Sequence, residues 1–130
     1  MRNLNLKAAL IIYGALHIAQ GIILLVVPDR ITEFSGFEAM TSSEYFLAII
    51  GATFIAAGVW FAMTGLNPLQ NINGVRFALL WSILLLLIPL YALAQDYVDF
   101  GHIWFVVVEN AIFAAAFLIF YPLRRQPGSD

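Results

Sequence analysis

Residues 77–95 read FALLWSILLLLIPLYALAQ, a run without a single charge. As an α-helix rising 1.5 Å per residue it reaches about 29 Å, close to the ~30 Å hydrocarbon thickness of a bilayer. The same character recurs on both sides: residues 8–28, 45–75 and 100–123 carry no charge except Glu109. The chain therefore predicts an all-α integral membrane protein with four spans, at about 7–27, 44–65, 74–95 and 100–121. Those spans take up most of the 130 residues, so the whole chain, 1–130, reads as a single membrane domain with no soluble domain of useful size beside it.

Composition narrows the chemistry. Hydrophobic residues make up 62% of the chain and charged ones 11%, against roughly 45–50% and 25% in soluble domains. Cysteine is absent, which removes disulfides, thiolate metal sites, iron–sulfur clusters and redox dithiols. Phosphate-binding loops, nucleophile elbows and the E-x-x-H or H-E-x-x-H metal motifs are missing too. No metal site, nucleic-acid partner or stand-alone enzymatic activity is expected. The first apolar run lacks an A-x-A cleavage site and has the length of a full span, so it reads as a retained helix and not a signal peptide.

Basic residues set the expected orientation. Arg2, Lys7, Arg76, Arg124 and Arg125 share one side if four spans alternate, and only Arg30 falls on the other. The positive-inside rule then puts both termini in the cytoplasm. In that frame Tyr45, Tyr97 and Trp104 lie near the outer interface and Tyr121 near the inner one, while Trp60 and Trp81 lie deeper on the inner side as anchors or packing residues.

Helix ends carry their own signals. Thr41-Ser-Ser-Glu44 matches a capping box that starts the second span. Gly65 with Asn67-Pro68 ends it, Asn71 or Asn73 is placed to cap the third span, and Asp99 to cap the fourth. Short second and third connections make successive spans antiparallel neighbours, an up-down-up-down four-helix bundle. In the first connection Ile31, Phe34, Phe37 and Met40 recur every three residues among Asp29, Arg30, Glu33 and Glu38. That pattern suits either a short interfacial helix, acting as a lid over the outer mouth, or an irregular loop, since Gly36 opposes the helix.

An internal echo links the first two spans. Gly14-Ala15-x-x-Ile18-Ala19-x-Gly21 returns 37 residues later as Gly51-Ala52-x-x-Ile55-Ala56-x-Gly58. Small residues so spaced let membrane helices approach closely, because lipid offers no hydrophobic drive and packing must hold them together. Gly14, Gly21, Gly51 and Gly58 are the expected packing positions.

Glu109 departs most from the apolar pattern. A carboxyl group in the hydrocarbon costs at least ~2.5 kcal/mol on insertion scales, so it should face the bundle interior, find donors or stay protonated. Seven residues past His102, it lies about 10 Å below the outer interface, level with Gln20, while His17 lies about 4–5 Å deeper. Tyr13, His17 and Gln20 share one face of the first helix at i, i+4 and i+7. Thr53, Tyr91 and Asn110 are expected to converge on the same outer-half polar pocket, with a kink at Pro89 opening the third helix beside it. His17 is the expected partner of Glu109, through charge pairing or a shared proton. A bis-histidine haem is ill suited, because His102 is near the surface and His17 near mid-membrane. Single axial ligation of haem or chlorophyll by His17 stays open, with Gly14 one turn away to leave room.

The first helix with His17-Ile-Ala-Gln-Gly21 running to Pro28, the Gly51-Ala-x-x-x-Ala-x-Gly58 second helix and the third helix opening at Arg76-Phe77 resemble the small four-helix DoxX-like membrane proteins and related uncharacterised families. The resemblance spans nearly the whole chain and implies a quinone or redox-partner role, without assigning a catalytic residue. Taken with the residues, it leaves three readings. The favoured one is an accessory subunit packed against a larger membrane complex. The second is a module holding a quinone, lipid or pigment headgroup around Glu109. The third is a proton-coupled transporter acting as an oligomer. The expected partners are membrane lipids with either another membrane protein or further copies of the chain.

Overall fold

The computed structural model describes residues 2–27 and 43–122, and within them the chain forms four helices and no strand. These are α1 (Arg2–Val26), α2 (Ser43–Leu66), α3 (Ile72–Ala94) and α4 (Phe100–Phe120). All four are long and apolar enough to cross a membrane, and they pack as a multi-pass four-helix bundle. Helix α1 starts several residues before its expected span and carries Asn3, Asn5 and Lys7 in its first turns. The capping box at residues 41–44 and the amphipathic segment at 31–40 lie outside the described residues.

Each helix is joined to its partner in a different way. Helices α1 and α2 pack most closely, α3 and α4 next, and the α1–α4 and α2–α3 seams are thinner. The glycine echo explains the first pair. A Cβ on Gly14 would stand 2.5 Å from the Gly58 carbonyl oxygen, and one on Gly58 would stand 2.6 Å from that of Gly14. At the other end of the motif, a Cβ on Gly21 would stand 2.5 Å from the Gly51 oxygen and one on Gly51 2.8 Å from the Gly21 oxygen. Ile18 lies against Gly58 just as Ile55 lies against Gly21. The two copies therefore pack antiparallel on each other about a local two-fold axis, backbone against backbone. Gly65 extends this seam against Ile11 inside a helix that runs on to Leu66, so it serves packing and does not end the helix.

The α2–α3 seam is wider because rings fill it. Phe61 lies 5.8 Å from Phe77 and 6.3 Å from Trp81 between ring centroids. The buried core of Leu6, Leu10, Tyr13, Phe61, Val75, Ala78 and Phe117 continues from these rings toward the end of the bundle that holds both termini. The dense core stops partway. On α3 the last buried residue is Ser82 and on α4 the first is Glu109, with no buried residue between them along residues 83–108.

The turns are built differently from their sequence signals. Asn71 occupies the N-cap position of α3, but its side chain donates backward to the Asn67 carbonyl (3.1 Å) instead of capping the helix. Asp99 takes the N-cap position of α4 without a side-chain cap bond; the His102 N–H goes to its backbone oxygen (3.0 Å). Helix α3 continues through Pro89 and closes with Asp96 at φ 55°, the Tyr97 N–H bonding the Ala92 carbonyl (2.9 Å) and the Asp96 N–H that of Leu93 (3.1 Å). Those paired bonds are a Schellman closure with aspartate where glycine is usual.

Candidate functional site

Three polar side chains on one face of α1 reach two other helices at the upper limit of the dense core. Tyr13, fully buried, donates its hydroxyl to Asn110 Oδ1 on α4 at 2.6 Å. Asn110 in turn donates to the Val106 carbonyl at 2.8 Å, so both residues are satisfied within the chain. Packed against Tyr13 are Phe61, Phe113 and Phe117, with centroids 4.5–5.4 Å away.

His17, one turn along and also fully buried, bonds α3. The Trp81 indole N–H donates to His17 Nε2 at 3.0 Å. An indole nitrogen only donates, so Nε2 is an acceptor and the ring proton sits on Nδ1. Nδ1 lies 3.0 Å from the Tyr13 carbonyl and donates to it. Both ring nitrogens are thus used, inside a cage formed by Tyr13, Phe54, Phe61 and Trp81. This arrangement does not fit an axial ligand to haem or chlorophyll, since no nitrogen lone pair is free. Nor does His17 partner Glu109.

Gln20 takes that role. Its side-chain N–H donates to Glu109 Oε2 at 2.5 Å, joining α1 to α4. Glu109 is only 7% exposed, and its other oxygen, Oε1, is buried without a hydrogen-bond partner among the described residues. Leaving a buried acceptor unmatched costs about 1–3 kcal/mol, and more if it is charged. Glu109 also stands where the dense core ends, nine residues or about 14 Å of helix from the start of α4. One carboxyl oxygen is therefore held by the fold, and the second is sheltered with nothing donating to it.

Two expected residues do not join this site. Thr53 is exposed and donates to the Ile49 carbonyl of its own helix (2.8 Å). It follows Gly51 by two residues, a rotation of ~200° that turns it away from the glycine seam. Tyr91 is 63% exposed. Nine residues past Ser82, it falls half a turn round the helix from α3's buried face. On α3 the polar face of α1 accordingly bonds Trp81, eight residues before Pro89.

No family model, curated protein or solved structure matches this chain. The site stands on its own geometry.

Trp81 is the residue that reading the sequence missed, because a tryptophan at that depth passes for an interfacial anchor. The available signal was depth: Trp81 lies nine residues into α3 and His17 ten residues beyond Lys7, so both reach about 14–15 Å from the same end.

Proposed function

We propose that this protein is an integral membrane binding module that holds a lipid-soluble molecule against Glu109 and Gln20. The observation that carries this reading is the Oε1 atom of Glu109, buried without a donor at the level where the dense core gives way to exposed α3 and α4. Evolution tolerates a buried ionisable group in a membrane chiefly where it works. The buried polar residues of the α1 stripe, Tyr13 and His17, have their partners inside the chain, which leaves Glu109 on α4 as the point that gains from an outside donor. The matching ligand is amphipathic and carries a hydroxyl or amine donor on its head, and a quinol or lipid hydroxyl fits this description. The quinone role implied by the DoxX-like resemblance meets this requirement in the reduced, quinol form, whose hydroxyls donate. On this reading the end with the termini is cytoplasmic, as the basic residues suggest, and the ligand enters from the outer leaflet.

An accessory subunit in a larger complex is the second reading. It draws on the broad apolar flanks of α3 and α4 beyond Ser82 and before Glu109. The two are separated by native mass spectrometry of the protein extracted gently from its membrane, wild type beside Glu109→Gln and Glu109→Leu. The binding module should carry a reproducible small mass that both variants lose while remaining folded. Large co-purifying proteins, with no small mass on the wild type, would replace it with the accessory-subunit reading.

A further inference from the structure

At the end of the bundle that holds the termini, the first two turns of α1 and the turn after α2 enclose a groove of about 390 Å³. Asn3, Leu4 and Lys7 line one wall, and Asn67, Leu69 and Gln70 the other. Its depth is that of a membrane–water interface. Lys7 is the last charge before the uncharged run that begins at Ala8, and the turn follows directly on the last residue of α2, Leu66.

Among the described residues, charge at this end is unbalanced. Arg76 is occupied, donating to the Tyr121 hydroxyl at 3.0 Å and to Asn73 Oδ1 at 3.5 Å. Lys7 makes no ion pair or hydrogen bond among the described residues. The described carboxylates lie elsewhere: Asp96 and Asp99 at the opposite turn, Glu109 within α4. Three other residues that line the groove with Lys7, namely Asn3, Asn67 and Gln70, carry carboxamides, each able to donate N–H groups. Beside them Leu4 is 68% and Leu69 53% exposed, apolar surface at the level where acyl chains begin.

We propose that this groove binds the headgroup of an anionic phospholipid. The phosphate sits against Lys7, the carboxamides donate to phosphate and glycerol oxygens, and the chains run along Leu4 and Leu69. Lysine serves as a compact, rotatable point charge suited to phosphate. A choline headgroup is a poorer fit, because its cation would meet neither a carboxylate nor an aromatic ring among the lining residues. This inference is independent of the Glu109 site.

The test uses the full chain in detergent with equal amounts of phosphatidylglycerol and phosphatidylcholine of identical acyl chains. Retained lipids are counted by native mass spectrometry. Phosphatidylglycerol should be retained about fivefold over phosphatidylcholine, the preference expected from one interfacial lysine. Lys7→Gln should bring the ratio close to one, and Lys7→Arg should preserve it. Equal retention of both lipids by the wild type, or a preference that survives Lys7→Gln unchanged, overturns the proposal. Circular dichroism of each variant guards the comparison, and no loss of helix is expected because Lys7 supports no bond among the described residues.

Discussion

Helices α1 and α2 meet where side chains are absent, whereas α1 meets α3 and α4 through hydrogen bonds and rings. In the first seam Gly14 and Gly21 lie against Gly58 and Gly51 with no room for a Cβ. In the second, Tyr13, His17 and Gln20 reach Asn110, Trp81 and Glu109. Lipid is as apolar as leucine, so neither seam gains from the hydrophobic effect as a soluble core would, and each needs a substitute. Close backbone packing makes the α1–α2 pair a rigid unit with no polar obligations. Polar bridging lets the other seams be wider, at the cost of satisfying each group, and Glu109 is where that satisfaction is incomplete.

The glycine seam is the place to break first. Gly58→Val forces a branched side chain toward the Gly14 oxygen and Ile18, and should destabilise the protein by about 3 kcal/mol or more. Denaturant titration in detergent measures the loss. The control is Ala52→Val, which adds bulk on the exposed side of the same helix and should change stability by under ~0.5 kcal/mol. Equal losses in the two variants would mean that the seam is less tight than its geometry.

The bridged seam should fail more gently and by a different rule. Trp81→Phe keeps a ring beside Phe54, Phe61 and Phe77 but strips the donor from His17 Nε2, an expected loss of about 1–3 kcal/mol. Adding His17→Phe removes the orphaned acceptor, so the double variant should recover part of the loss. A double-mutant cycle reads that coupling directly. Strictly additive losses would mean that the indole contributes bulk alone.

Glu109 sharpens the contrast between what the fold needs and what it carries for another purpose. Glu109→Met preserves approximate volume and removes the unmatched oxygen, leaving Gln20, which is half-buried, to find another partner. Stability should hold or rise by about 1–2 kcal/mol, as when buried charged groups elsewhere give way to apolar ones. Any bound small molecule should be lost at the same time. A large loss of stability with no change in bound mass would make Glu109 a structural residue.

Much of this was legible in the chain, and the part that was not has one physical cause. While the pairing of Gly14 with Gly58 and of Gly21 with Gly51 comes from the structure, span number, antiparallel order and the packing role of these four glycines follow from length, charge and spacing. So does the α1 stripe, because Tyr13, His17 and Gln20 stand out against apolar neighbours. Helices α2 and α3 are apolar all round, with lipid outside and core inside equally greasy, so their sequences barely mark which face points inward. The sequence consequently points Thr53 and Tyr91 to an interior they do not reach, and reads Trp81 as an anchor or packing residue without its bond to His17. His17 was matched to Glu109 on chemistry, whereas one turn of helix gives Glu109 to Gln20 instead.

The smallest effect concerns a helix end that sequence rules overlook. Asp96 holds φ 55° so that the Tyr97 and Asp96 N–H groups can close α3 on Ala92 and Leu93. A left-handed backbone brings the Cβ of an L residue close to its carbonyl, a strain that aspartate eases only in part and glycine does not feel. Because Asp96 is exposed, Asp96→Gly sacrifices no packing, although glycine's freer unfolded chain offsets some of the relief. The net should be a gain of less than ~1 kcal/mol, visible as a small rise in the denaturation midpoint at unchanged slope. Asp96→Val, β-branched and ill-suited to that φ, should move the midpoint the other way. If the two variants shift it in the same direction, the turn between α3 and α4 closes by something other than this backbone geometry.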